Sequence, residues 1–110
     1  MPEITINQNE LNEGEKQRFE LPDKDITATK WEGKVFAFNS KCPHRKGPIF
    51  MGKLRPNSCI MCPSHRIIFS LIDGHVISNP IPESMKDYHD TTDLEVFQIN
   101  KSEEKFIINY

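Results

Sequence analysis

Two short segments, "CPHRKGPIF" at 42–50 and "CIMCPSH" at 59–65, constrain this chain more than any other part of it. Each carries a Cys-Pro with a His close behind. The arrangement is Cys42-x-His44, a gap of 17 residues, then Cys62-x-x-His65. For these four side chains to act together, the chain must present two loops side by side. Such loops need rigid elements on both flanks.

The flanks supply those elements as short β-type runs between turn residues. The runs are "EITI" (3–6), "KQRFEL" (16–21), "ITATKW" (26–31), "KVFAFN" (34–39), "SCIM" (58–61), "IIFSL" (67–71), "HVIS" (75–78), "LEVFQI" (94–99) and "KFIINY" (105–110). In the second run Phe19 and Leu21 share a face. Glu32-Gly33 and Asp73-Gly74 are hairpin signals, and "NKSEE" (100–104) reads as a polar turn. No long window holds a clean helical period; single turns of helix are expected at Asn9–Glu15 and Glu83–Asp90 within loops. The prediction is an all-β fold, an antiparallel sandwich or small barrel, formed by one domain over 1–110.

Composition narrows the function. Net charge is −2, which gives no general attraction to nucleic acid. No apolar run approaches the roughly 18 residues of a membrane span. The polar start "MPEITINQNE" lacks the basic and apolar segments of a secretory signal, so a cytoplasmic location is expected. Three cysteines in such a chain do not read as a disulfide framework. Cys59 forms a Cys-x-x-Cys with Cys62 but stands inside a β-run, and is read as a small buried hydrophobe. His75 and His89 lack a Cys companion and are read as exposed or turn residues.

Thiolates and imidazoles together suit zinc or an iron–sulfur centre. A Cys₂His₂ zinc site fits the donors, although zinc motifs usually open with two cysteines. A binuclear cluster explains the alternation better, with two thiolates on one iron and two imidazoles on the other. On these motifs the chain resembles the Rieske [2Fe–2S] family. "CPHRKGPI" is similar to that family's CPHxGGPL loop, and "CPSHRIIF" to its CPWHGxxF loop. The resemblance implies a Rieske-type β-sandwich whose cluster-binding subdomain, about 41–82, carries loops at 42–48 and 62–66. It implies one [2Fe–2S] cluster per chain, with Cys42 and Cys62 on the buried iron and His44 and His65 on the outer one. Pro80-Ile81-Pro82 resembles the proline loop that covers the cluster.

The departures from the family also inform. Cytochrome bc-type members carry a loop-bridging disulfide, whose places are Gly47 and Ser64 here. Their Ser two residues after the second His, a donor to a cluster sulfur, is Ile67. Fewer donors predict a potential toward the low end of the family's roughly −150 to +300 mV. This resembles the soluble ferredoxins of oxygenase systems. Ser64 and Arg66 replace the usual Trp and Gly of the second loop, and Arg66 leaves the loop's local geometry open to change.

The resemblance therefore implies a one-electron carrier, not a stand-alone enzyme. It would pass electrons from a flavoprotein reductase using NAD(P)H to a terminal oxygenase. Two other readings stay open: a Rieske-like small subunit of a larger enzyme such as nitrite reductase, and a zinc-binding interaction module. From Lys41 to Arg66 the charged residues are all basic: Lys41, Arg45, Lys46, Lys53, Arg55 and Arg66. The rest of the chain carries −8. The basic segment is expected to raise the potential somewhat and to steer an acidic partner surface toward the cluster loops.

Overall fold

The computed structural model describes residues 3–43, 46–85 and 91–110. Among these residues are ten strands: β1 (Glu3–Asn7), β2 (Lys16–Glu20), β3 (Asp25–Trp31), β4 (Lys34–Asn39), β5 (Lys53–Arg55), β6 (Cys59–Met61), β7 (Ile68–Ser70), β8 (Val76–Ser78), β9 (Val96–Ser102) and β10 (Lys105–Asn109). They form two antiparallel sheets, one ordered β1-β10-β9-β4-β3-β2 and the other β5-β6-β7-β8. The all-β expectation is met. No helix among the described residues is long and apolar enough to cross a membrane.

The hairpins follow their turn residues. Glu32 and Gly33 both take positive φ, 53° and 80°, the geometry that joins two twisted strands through two residues. Two predicted boundaries are corrected. β9 extends through Ser102, so the turn before β10 shrinks to Glu103-Glu104. The run at 94–99 becomes a strand only from Val96, because the Leu94 N–H donates to Gly74 O (2.8 Å) outside the ladder. β5 had no apolar signature, since Lys53 and Arg55 flank a single Leu54. Its ladder to β6 makes it a strand. A 3₁₀ turn at Gln8–Glu10 replaces the helical turn expected over 9–15. The second expected turn falls partly on 86–90, as does His89, outside the described residues.

The core has two parts. Ile6, Leu11, Ile26, Ala28, Ala37 and Ile108 fill the six-stranded sheet, with Phe19 and Leu21 packed on them from the same side as predicted. Phe38, Ile49, Ile60, Ile67, Phe69, Leu71 and Leu94 form the second group, which also contains Cys42 and Cys62. The future site is thus built into packed apolar material.

A chain of carboxylate contacts ties the two sheets together. Glu13 accepts the N–H groups of Glu32 (2.6 Å) and Gly33 (3.1 Å). Glu32 in turn accepts the N–H groups of Asn57 (3.2 Å) and Ser58 (2.6 Å), and the Ser58 hydroxyl (3.0 Å). Asn57 and Ser58 take positive φ, 69° and 55°, so this carboxylate secures an otherwise costly turn between β5 and β6. Trp31 adds an indole N–H to Arg55 O (2.8 Å).

Desolvation raises the Glu32 pKa, but the Ser58 and Asn57 hydrogen bonds and Lys34 outweigh it, and the net shift is downward from 4.5. A carboxylate with a depressed folded pKa stabilises the fold above its unfolded pKa, and that contribution is lost as pH falls through the folded value. Glu32→Gln is therefore expected to melt below wild type at about pH 7. The two curves should converge toward about pH 3. A gap that stays constant in thermal melts across that range would contradict the charged clamp.

Candidate metal centre

The first loop leaves β4 from a fixed point. Ser40 is fully buried; its N–H donates to Asp25 O (2.8 Å) and its hydroxyl meets Thr27 Oγ1 (2.7 Å). The Arg18 guanidinium grips Asp25 through two bonds (2.9 and 2.6 Å) and lies 4.1 Å over the Phe50 ring, which pins the far end of the loop. Between these anchors the Cys42 N–H donates to Gly47 O (2.7 Å) and closes the loop. Across Pro48, at φ −81° and ψ 70°, the Ile49 N–H returns to the same oxygen (2.9 Å), an inverse γ-turn.

The second loop leaves β6 in the same manner. The Cys62 N–H donates to Ile67 O (2.9 Å) and the Arg66 N–H to Cys62 O (2.9 Å). Ile67 is fully buried, so it anchors the loop and offers no donor to the site. Ile81, from the proline loop, packs against the core group that holds both cysteines, where a covering loop was expected.

The two loops meet at sulfur. Cys42 and Cys62 are both 1% exposed. The Cys42 side chain first, then the N–H groups of Ser64 and His65, and least the Ser64 side chain favour the charged form of Cys62. Against the opposing effect of burial, these donors push the Cys62 thiol down from 9.0 to about 6. The surroundings thus favour the thiolate of Cys62, the form that binds metal. Gly47 closes the other side: a Cβ there would lie 2.7 Å from Ser64 Oγ and 3.1 Å from Cys62 Sγ.

Of the four predicted ligands, the structure brings Cys42 and Cys62 into contact. It leaves His65 half-buried, with its Nδ1 atom buried. His44 lies outside the described residues, as does Arg45. Among the described residues no three His, Cys, Asp or Glu side chains gather as a single-ion site. No disulfide joins the three cysteines, and Cys59 is 6% exposed with its thiol toward Asn57 O (3.4 Å), the small buried residue expected. Two adjoining sulfurs, one aimed at by N–H donors, fit a thiolate-held metal.

Of the three positions where the family motifs have Gly, 47 keeps it, and the other two keep a glycine-like backbone without glycine. Lys46 sits at φ 55° and Arg66 at φ 60°. The substitution thus leaves the loop geometry in place and adds strain, about 1–2 kcal/mol per non-glycine residue in this region. Glycine returns part of that through a more flexible unfolded chain. Arg66→Gly is expected to raise stability by about 0.5–1 kcal/mol in denaturant titrations. A loss of that size would contradict the strained turn.

The model of the Rieske [2Fe-2S] domain family matches residues 3–89. A curated relative, the ferredoxin component of the alkene monooxygenase system of Xanthobacter autotrophicus (strain ATCC BAA-1158 / Py2), is 27% identical over 70 residues. That match spans 64% of this chain and 57% of the relative's length. Among solved structures, the ferredoxin of carbazole 1,9a-dioxygenase from Nocardioides aromaticivorans IC177 superposes with a TM-score of 0.75 at 16% identity, covering 94% of this chain and 92% of that one. A complex of reduced oxygenase and oxidized ferredoxin in carbazole 1,9a-dioxygenase gives 0.78 at 18% identity, covering 96% and 91%. At such identities the structures speak for the fold. The donor types had left zinc and iron–sulfur both open, and the family match decides for a [2Fe–2S] cluster: this chain belongs to the Rieske [2Fe-2S] domain family.

Proposed function

We propose that the protein is an electron carrier whose cluster is held by Cys42 and Cys62 on one iron and by His44 and His65 on the other. The observation that carries this reading is the pair of buried, hydrogen-bonded sulfurs of Cys42 and Cys62, one from each loop. When bound, the cluster supplies reversible uptake of one electron. The chain's own residues do the rest. Cys62 offers a thiolate at neutral pH, and the N–H groups of Ser64 and His65 stabilise negative charge at its sulfur. Ile49, Ile60, Ile67 and Phe69 exclude water behind the two sulfurs.

A terminal oxygenase is the acceptor in this reading, and an NAD(P)H-dependent flavoprotein reductase the donor. Support comes from the relatives: one is a monooxygenase ferredoxin component, and another ferredoxin is seen in complex with its oxygenase. Both favour a carrier over an enzyme subunit. The docking surface would be the basic segment around the loops. Lys41, Lys46, Lys53, Arg55 and Arg66 are exposed, and among the described residues none of them forms an ion pair. Their charges are thus available to an acidic partner surface.

Protein purified without added metal is expected to be red-brown, with a Rieske-type paramagnetic signal after dithionite. Cys42→Ser, Cys62→Ser, His44→Ala and His65→Ala should each abolish that signal, whereas Cys59→Ser should keep it. A colourless protein that also failed anaerobic reconstitution would sink the assignment. With oxygenase and reductase in hand, transfer rates should fall as salt rises. A salt-independent rate at both partners would remove the basic docking face alone.

A further inference from the structure

The two loops that carry the predicted ligands are not closed in the same way. The second joins β6 to β7, and those strands pair up to its ends, with Met61 opposite Ile68. The first leaves β4 in the six-stranded sheet and enters β5 in the other, and β4 and β5 are neighbours in neither sheet. Its ends are therefore held by other contacts. On the inner side Ile49 is fully buried in the core group of both cysteines. On the outer side the Phe50 N–H donates to Ser40 O (3.1 Å), and Arg18 lies 4.1 Å over the Phe50 ring. Arg18 comes from the edge strand β2. Its register partner is Thr27, two residues from Asp25 on the same face, so the guanidinium fork reaches both Asp25 oxygens (2.9 and 2.6 Å). Glu20 stands 3.5 Å from the other terminal nitrogen. Asp25 and Thr27 both hold Ser40, the first through its carbonyl (2.8 Å) and the second through its hydroxyl (2.7 Å). One cation thus grips the start of the loop through Asp25 and its end through Phe50. Arg18 is 31% exposed, whereas Ser40 and Ile49 are fully buried.

We infer that the first loop is the one that opens to release the cluster, and that Arg18 is the positioning residue that sets how often it opens. The inference rests on the proposed reading that Cys42 and His44 are ligands. Local openings begin where the fewest contacts must break. The second loop lifts only if the ladder between β6 and β7 breaks. The first lifts from the six-stranded sheet once an ion pair and a ring contact give way. Arg18 acts on both ends at once, because its fork on Asp25 fixes the plane that lies on Phe50. Release itself is ligand exchange. Iron passes to a chelator, the sulfides leave as hydrogen sulfide, the cysteines take up protons, and no electron is transferred.

The test is hydrogen exchange on the loaded protein, read by mass spectrometry, with bleaching of the oxidised cluster by excess ferric chelator followed on the same samples. In Arg18→Ala, exchange over residues 40–52 and bleaching should both quicken about five- to twentyfold, the scale of one charge-assisted fork and one ring contact. Exchange over residues 59–70 should stay as in wild type. Arg18→Lys keeps a cation but loses the fork, and should recover part of the change. Phe50→Leu should quicken both rates, and by less when Arg18 is already Ala, since the two share one contact. Ile108→Val, in the core of the six-stranded sheet, is the reference for general loss of stability. It should not quicken the first loop more than the second. If Arg18→Ala fails to load, Arg18→Lys and Phe50→Leu decide. Equal quickening of both loops in the Arg18 or Phe50 variants, or unchanged bleaching, overturns the inference and leaves the cluster assignment standing. A wild-type protein that shows no Rieske-type signal overturns the ligand reading itself, and this inference with it.

Discussion

Two sulfurs, from loops separated by a β-hairpin, are buried against each other, and the Cys42 thiol donates to Cys62. Burial alone raises a thiol's pKa; at Cys62 nearby donors, the Cys42 side chain first and the Ser64 and His65 N–H groups after it, reverse that. The backbone is arranged to supply them. In each loop the cysteine N–H closes a ring onto a carbonyl five residues ahead, Gly47 O in the first and Ile67 O in the second. That closure curls the loop around its own sulfur. The positive φ of Lys46 and Arg66 turns each chain at the same stage.

Such loops hold their shape only on a rigid support, and the fold provides it on both sides. Arg18, Asp25, Ser40 and Phe50 fix the first loop to the six-stranded sheet. Glu13 and Glu32 fix the turn at Asn57-Ser58, and with it the small sheet, to the β3–β4 hairpin. Leu71 N–H donates to Ser58 O, which carries the tie on to the segment after β7. These contacts are polar and join segments distant along the chain, while the apolar residues behind the cysteines exclude water. Donors placed in advance in this way need little rearrangement when charge changes at a metal centre.

Much of this was legible in the sequence. Alternating apolar residues marked most of the strands, and Glu32-Gly33 marked its hairpin, because period and turn chemistry are local properties. The cysteines were legible as metal donors from their spacing with histidines. What stayed hidden depends on partners distant along the chain. β5 is a strand only because β6 pairs with it. The Glu32 clamp spans 26 residues to Ser58. Arg66 looked like a threat to the loop, yet its backbone takes the glycine-like conformation, a matter of energy balance that residue identity alone does not reveal.

The central claim is that one thiolate and one imidazole from each loop hold the same cluster. The most direct test is pulsed paramagnetic resonance on the dithionite-reduced protein with its histidines labelled with nitrogen-15. The account predicts strong coupling to two imidazole nitrogens, one assigned to His44 and one to His65 by substitution. A paramagnetic cluster with no strongly coupled histidine nitrogen would contradict it, since neither imidazole would then be a ligand.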